Sequence, residues 1–160
     1  MHEALKSKGL RLNRRDLVRG GKYGEHESKF IEDNRVYLTW NELPDDMTSV
    51  ADYEGIKQLV QQRFPAEPTR RLGNWSGQIW AFVLAIKTGD WIVMPRKNTA
   101  TIAIGEIKSP YKFDASGAAL YKHYRDIKWL DTEIPRSSFD CECRNKGSQC
   151  GGVKGSQSRC

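Results

Sequence analysis

Asn74-Trp75-Ser76-Gly77-Gln78-Ile79-Trp80-Ala81-Phe82-Val83, with Gly89-Asp90-Trp91-Ile92-Val93-Met94-Pro95 close behind it, decides how this chain is read. The two pieces hold three of its five tryptophans, set beside small and amide residues. Ile79, Phe82, Val83 and Ile86 recur at helical spacing, which predicts a helix from about Asn74 to Lys87 ended at Gly89. Gly89-Asp90 then opens a strand that runs to Pro95. A helix carrying Trp, Ser and Gln that feeds such a strand suits a pocket that stacks a flat ring and hydrogen-bonds its edge.

Working outward, Thr101 to Ile107 reads as the partner strand of a hairpin turning at Lys97-Asn98, and Tyr124 to Leu130 as a last strand. Upstream, Asp16-Leu17-Val18-Arg19 reads as a short first strand stopped by Gly20-Gly21, and Glu25 to Asp33 as a short helix with Phe30 and Ile31 inward. Arg35 to Trp40 alternates and is rich in β-formers, so it is expected as a strand. Pro44-Asp45-Asp46 turns the chain. Ser49 or Asp52 then caps a helix from Tyr53 to Phe64, with Ile56, Leu59, Val60 and Phe64 at helical spacing and Pro65 and Pro68 breaking it. The order predicts an α+β fold: a small curved sheet or open β-barrel with helices packed on it.

A length of 160 residues suits one domain, and a 38% apolar share suffices for one small core. The net charge of +6 and a pI of about 9.2 fit a polyanionic partner without requiring one. No apolar run reaches membrane-span length and the first residues lack the apolar core of a signal peptide, so a cytoplasmic location is the default expectation. Residues 1–15 form a basic, poorly patterned leader expected to be flexible. Residues 16–140 form the folded domain. Residues 141–160 hold all four cysteines and one large aliphatic residue, Val153, and are expected to be a disordered tail. With no cysteine in the body, disulfides do not frame the fold. The spacing of Cys141, Cys143, Cys150 and Cys160 could ligate zinc, but its first gap is short for a usual knuckle and no histidine follows, so no metal or cofactor is assigned.

The body resembles the N-terminal domain of Mrr-type, modification-dependent restriction endonucleases. The matching pieces are Leu17-Val18-Arg19-Gly20-Gly21-Lys22-Tyr23-Gly24-Glu25, Leu38-Thr39-Trp40-Asn41-Glu42-Leu43, the two tryptophan pieces above, Ile102-Ala103-Ile104-Gly105-Glu106-Ile107 and Ile134-Pro135-Arg136-Ser137-Ser138-Phe139-Asp140. They stand in the family's order across residues 16–140. That domain is similar to the PUA-like superfamily, which includes the EVE and YTH domains. The resemblance implies an aromatic cage beside a small barrel, holding a modified base flipped from DNA for a separate nuclease domain or subunit. The nuclease domain is missing here, so this chain is expected not to cut DNA. Relatives also continue past Ser-Phe-Asp with a further apolar stretch, where this chain begins its Cys/Gly/Ser segment.

Reading a base inside a duplex requires extrusion, stacking and hydrogen bonds to the exposed edge. Trp40, at a strand end, and Trp75, opening a helix, are the candidate cage walls, each weighed against plain core packing. Trp80 lies one turn on among Ile79 and Val83 and is a further pocket candidate, weighed against core packing; Trp91 and Trp129 read as structural. Tyr23 follows paired glycines whose backbone N–H groups can approach a ligand. Asn41, Ser76 and Gln78 are candidates for reading the base edge, and each alternatively caps or faces solvent. Arg19, Lys22, Arg70, Arg71, Arg96 and Lys97 are candidate phosphate contacts, with Arg96-Lys97 best placed at a hairpin tip. An RNA modified-base reader is the alternative binding function. The enzyme alternative is a Mg²⁺ nuclease of the PD-(D/E)xK type built on Asp90 and Glu106-Ile107-Lys108. His2, His26 and His123 are scattered and form no evident site.

Overall fold

The computed structural model describes residues 17–40, 43 and 45–138. The expected leader, the expected tail, Asn41 and Pro44 lie outside the described residues.

The hairpin forms as its sequence predicts. Strand β2 (Trp91–Pro95) pairs antiparallel with β3 (Thr101–Ile107), Trp91 opposite Glu106 and Pro95 opposite Ile102. Gly89, at φ +94°, supplies the left-handed turn before β2, and its N–H donates to the Ile107 carbonyl at 2.8 Å.

Strand β5 (His123–Pro135) is the spine of the sheet and runs well beyond the expected Tyr124 to Leu130. One of its edges pairs with β1 (Arg35–Tyr37). The other pairs with β3 and then with β4 (Lys112–Phe113), a two-residue strand whose brevity left no period to read. The result is an open, five-stranded antiparallel sheet of order β1-β5-β3-β2, with β4 also on β5, and an α+β fold. Register shifts between Ile102 and Ile104 and between Ile104 and Gly105 bend β3 against β5, the usual work of a bulge.

Two expected strands are shorter. Leu17 makes a single parallel bridge to Val93 rather than a strand. Strand β1 stops at Tyr37 because the Trp40 N–H turns back on the Leu38 carbonyl at 2.9 Å, a γ-turn that lifts Trp40 off the ladder.

Among the described residues, three α-helices accompany the sheet. Helix α1 (Glu27–Glu32) buries Phe30, with Ile31 half-buried. Helix α2 (Tyr53–Arg63) takes Asp52 as its N-cap, the Asp52 carboxylate accepting the Gly55 N–H at 2.9 Å, and buries Ile56 and Val60. Helix α3 (Thr69–Trp80) begins five residues before the expected start at Asn74. Burial of Leu72 outweighs the weak helix propensity of Gly73 in this first turn.

Past Trp80 the chain widens into a π turn, Ala81–Ala85, with the Ile86 N–H donating to Ala81. The buried Arg125 guanidinium satisfies the turn: Nε donates to the Phe82 carbonyl at 2.7 Å and an Nη to the Val83 carbonyl at 2.8 Å. Ile79, Phe82, Val83 and Ile86 all reach the core, as their spacing predicts. One cluster joins them to Phe30, Val36, Ile92, Met94, Ile107 and Ile127. A smaller one, Val93, Ile102, Ile104 and Ile134, carries Trp91 at its side. Among the described residues, no helix is long and apolar enough to cross a membrane.

Candidate nucleic-acid interface

The γ-turn after β1 and the second turn of α3 bring Trp40 and Trp75 together. Their ring centroids lie 5.5 Å apart with planes at 73°. Trp75 also meets Phe64, the α2 C-cap residue, at 5.1 Å and 72°. Both tryptophans are half-buried. The Arg71 guanidinium, one turn earlier in α3, lies 5.9 Å from the Trp75 ring centre while pairing with Glu67 at 2.7 Å. Trp75 therefore sits inside α3 and does not open it. The edge-to-face contact also corrects the image of two walls. A sandwiched base needs parallel rings with a ring-thickness gap between them, and this pair leaves no such slot.

The other expected cage residues have contacts of their own. Trp80 meets Tyr53 at 6.3 Å, one turn beyond Trp75. Ser76 is fully buried and its hydroxyl donates to the Leu72 carbonyl at 2.8 Å, so it faces the core and has no free edge-reading group. Gln78 is exposed. Asn41 lies outside the described residues. Tyr23 is 69% exposed with the Lys22 ammonium over its ring. Its loop packs against Glu27 and Lys97: a Cβ on Gly24 (φ +84°) would stand 2.5 Å from the Glu27 carboxylate and 2.8 Å from the Lys97 Cβ. Two backbone N–H groups of this glycine loop are taken up within the loop. Those of Lys22 and Tyr23 donate to the Glu25 carboxylate at 3.3 and 2.7 Å. Backbone hydrogen bonds, from Glu25's own N–H first and then Tyr23's, hold that carboxyl below its usual range.

The basic candidates divide by burial. Arg19, Lys22, Arg70, Arg71 and Lys97 are exposed. Arg96 is not a free tip residue. Its side chain is 19% exposed, its Nε lies 3.9 Å from the carboxylate of the buried Glu27, and an Nη donates to the Thr132 carbonyl at 3.4 Å. Glu27 also accepts the Lys97 N–H at 2.7 Å, so α1 and the hairpin tip are tied through one buried carboxylate.

Sequence reading missed a second aromatic group. Tyr121, from a short 3₁₀ turn, Ala119–Tyr121, meets Tyr37 at 5.1 Å and His26 at 5.5 Å, and its hydroxyl bonds His26 Nδ1 at 2.8 Å. Burial, with the Asp33 hydrogen bond second, raises the Tyr37 phenol to about 12. Beside this group Tyr124 lies under the Arg35 guanidinium at 4.2 Å. The signal in the sequence was a run of scattered tyrosines that only the pairing of β1 with β5 assembles.

It also missed a buried polar chain. His123 Nε2 faces the Leu43 carbonyl at 2.6 Å and Nδ1 faces the Tyr111 hydroxyl at 2.7 Å. Because a carbonyl only accepts, Nε2 carries the proton and the phenol donates to Nδ1. The carboxylates of the Mg²⁺ alternative are engaged elsewhere: Asp90 accepts the Lys87 N–H at 2.8 Å and Glu106 pairs with Lys108 at 2.7 Å. Among the described residues, no group of three or more His, Cys, Asp or Glu could hold a metal ion.

One family model matches, a domain of unknown function, DUF8426, across residues 17–150. The match runs past Asp140 into the first part of the cysteine-bearing segment. No curated protein and no solved structure matches the chain.

Proposed function

We propose that this chain, which belongs to the DUF8426 family, is a PUA-like reader of a modified nucleobase in DNA and works as the specificity module of a restriction system. The observation that carries the reading is the Trp40–Trp75 contact: two half-buried tryptophans, distant in sequence, meet beside a cation. The ordered resemblance to endonuclease N-terminal domains supplies the kind of ligand, and the open antiparallel sheet is compatible with the fold type that it implies. In this reading the extruded base stacks on the outward side of the tryptophan pair rather than between its rings. One stacking contact is worth about 1–3 kcal/mol, comparable to the few kcal/mol needed to unstack a base. Exposed Lys97, Arg70 and Arg19 supply phosphate contacts, and cutting falls to a nuclease domain or subunit.

The test is a binding screen. Duplexes carrying a single 5-methylcytosine, 5-hydroxymethylcytosine or N6-methyladenine compete against plain duplex and against the same sequences as RNA. Preference for one modified duplex supports the reading. Preference for modified RNA moves the function to the RNA alternative, and equal binding to all reduces the chain to a generic basic domain. Cleavage of any of them in Mg²⁺ would contradict the claim that the chain has no catalysis of its own.

A further inference from the structure

A cleft of about 280 Å³ opens between the π turn, the Lys87-Thr88 turn, the Met47-Thr48 loop and Pro110-Tyr111, with Arg125 of β5 among its lining residues. Met47, Val83, Leu84, Ile86, Pro110 and the Tyr111 ring give it apolar walls, yet two cations line it and no Asp or Glu does. Arg125 is only 2% exposed. It is held by neutral groups: the Phe82 and Val83 carbonyls, and the Ser109 carbonyl at 3.2 Å. Those three bonds use three of the five N–H groups a guanidinium carries. The ammonium of Lys87, also a lining residue, donates to the Leu84 carbonyl at 3.0 Å. Asp90 acts on Arg125 through space, and its Oδ2 accepts the Lys87 N–H. A buried guanidinium whose hydrogen bonds go to carbonyl dipoles carries positive charge into a low-dielectric wall, where an anion gains most from meeting it.

We propose that this cleft binds a small organic anion, an oxyanion head of the carboxylate or phosphate type on an apolar body, with Arg125 and Lys87 facing the head. The apolar walls take the body, and the absence of a lining carboxylate among the described residues leaves the charge match to the ligand. This site is separate from the tryptophan pair and does not depend on the reader function.

The probes are benzoate, inorganic phosphate and a nucleoside 5′-monophosphate, titrated into the full chain by calorimetry and by two-dimensional NMR. The expected result is saturable binding of at least one organic anion, with shifts at Val83, Thr88 and Tyr111. Binding of benzoate identifies a carboxylate head, and binding of the nucleotide a phosphate head. Arg125→Ala risks unfolding the π turn, so Lys87→Glu at the rim is the informative variant. It is expected to weaken binding about tenfold or more, the usual effect of losing one charged hydrogen bond and gaining a repulsion. No organic anion binding at millimolar concentration, shifts confined to other surfaces, or affinity unchanged in folded Lys87→Glu would overturn the proposal.

Discussion

His123 shows how much of this chain's chemistry rests on single buried groups. Burial, set against the weaker opposing effect of its Leu43 bond, holds its imidazole below the usual histidine range. The unfolded chain, with an ordinary histidine, takes up a proton first. Stability conferred by neutral His123 is therefore complete above about pH 6.5 and is lost as pH falls below it, until the folded-state pKa is passed. The slope reaches at most about 1.4 kcal/mol per pH unit. Urea unfolding between pH 7.5 and 5 is expected to show this loss. A flat profile in that window would place the proton elsewhere, since the depressed carboxyls of Glu25, Asp33, Asp114 and Asp126 titrate at still lower pH. Little of this was legible beforehand. Histidine 123 read as an isolated residue because its partners, Leu43 and Tyr111, come from a loop and a distant turn. Ser76 misled for the opposite reason. A serine beside a tryptophan looks like an edge reader, but the helical phase turns it inward, where the Leu72 carbonyl satisfies it.

At the scale of elements, the hairpin tip separates two lysine- and arginine-type roles that looked alike in sequence. Arg96 faces the buried Glu27, whereas the Lys97 side chain is exposed. Arg96→Ala is expected to destabilise the fold by about 1–3 kcal/mol, because it leaves a buried carboxylate short of its cation. Lys97→Ala is expected to leave the melting temperature near wild type and, under the proposed function, to weaken all DNA equally and to reduce the salt slope by about one unit. Thermal melts and salt titrations of both variants check this; equal melting temperatures would contradict it. The bent strand β3 carries a second test. A Cβ on Gly105 would stand 2.6 Å from Ile127 Cδ1 and 3.0 Å from the Lys128 carbonyl. Gly105→Ala is expected to cost about 1–3 kcal/mol by overpacking, read as a lower urea midpoint, and an unchanged midpoint would mean that β3 and β5 do not pack this closely. Periodicity revealed the hairpin, α2 and the inward face of α3 because local pattern and burial agree there. It missed the start of α3, the π turn and β4, which depend on Leu72 burial, on Arg125 and on β5.

On the scale of the molecule, membership of DUF8426 and an open antiparallel α+β sheet set the frame, and the tryptophan pair supplies the place where function is proposed. The sequence brought Trp40 and Trp75 forward as candidates. Their edge-to-face packing, and the packing of Gly24 against Lys97, depended on long-range contacts that no spacing encodes. Under the proposed function, phosphate contacts carry no information about modification, and discrimination falls to the stacking residues. The most direct measurement is the ratio of dissociation constants for plain and modified duplex, taken for wild type and for folded Trp75→Ala at two salt concentrations. The account predicts a wild-type ratio well above one. It predicts that Trp75→Ala brings the ratio close to one, with a loss of about 1–3 kcal/mol in modified-duplex binding and a nearly unchanged salt slope. A folded Trp75→Ala protein that kept the full wild-type ratio would contradict the assignment of the reading site to this pair.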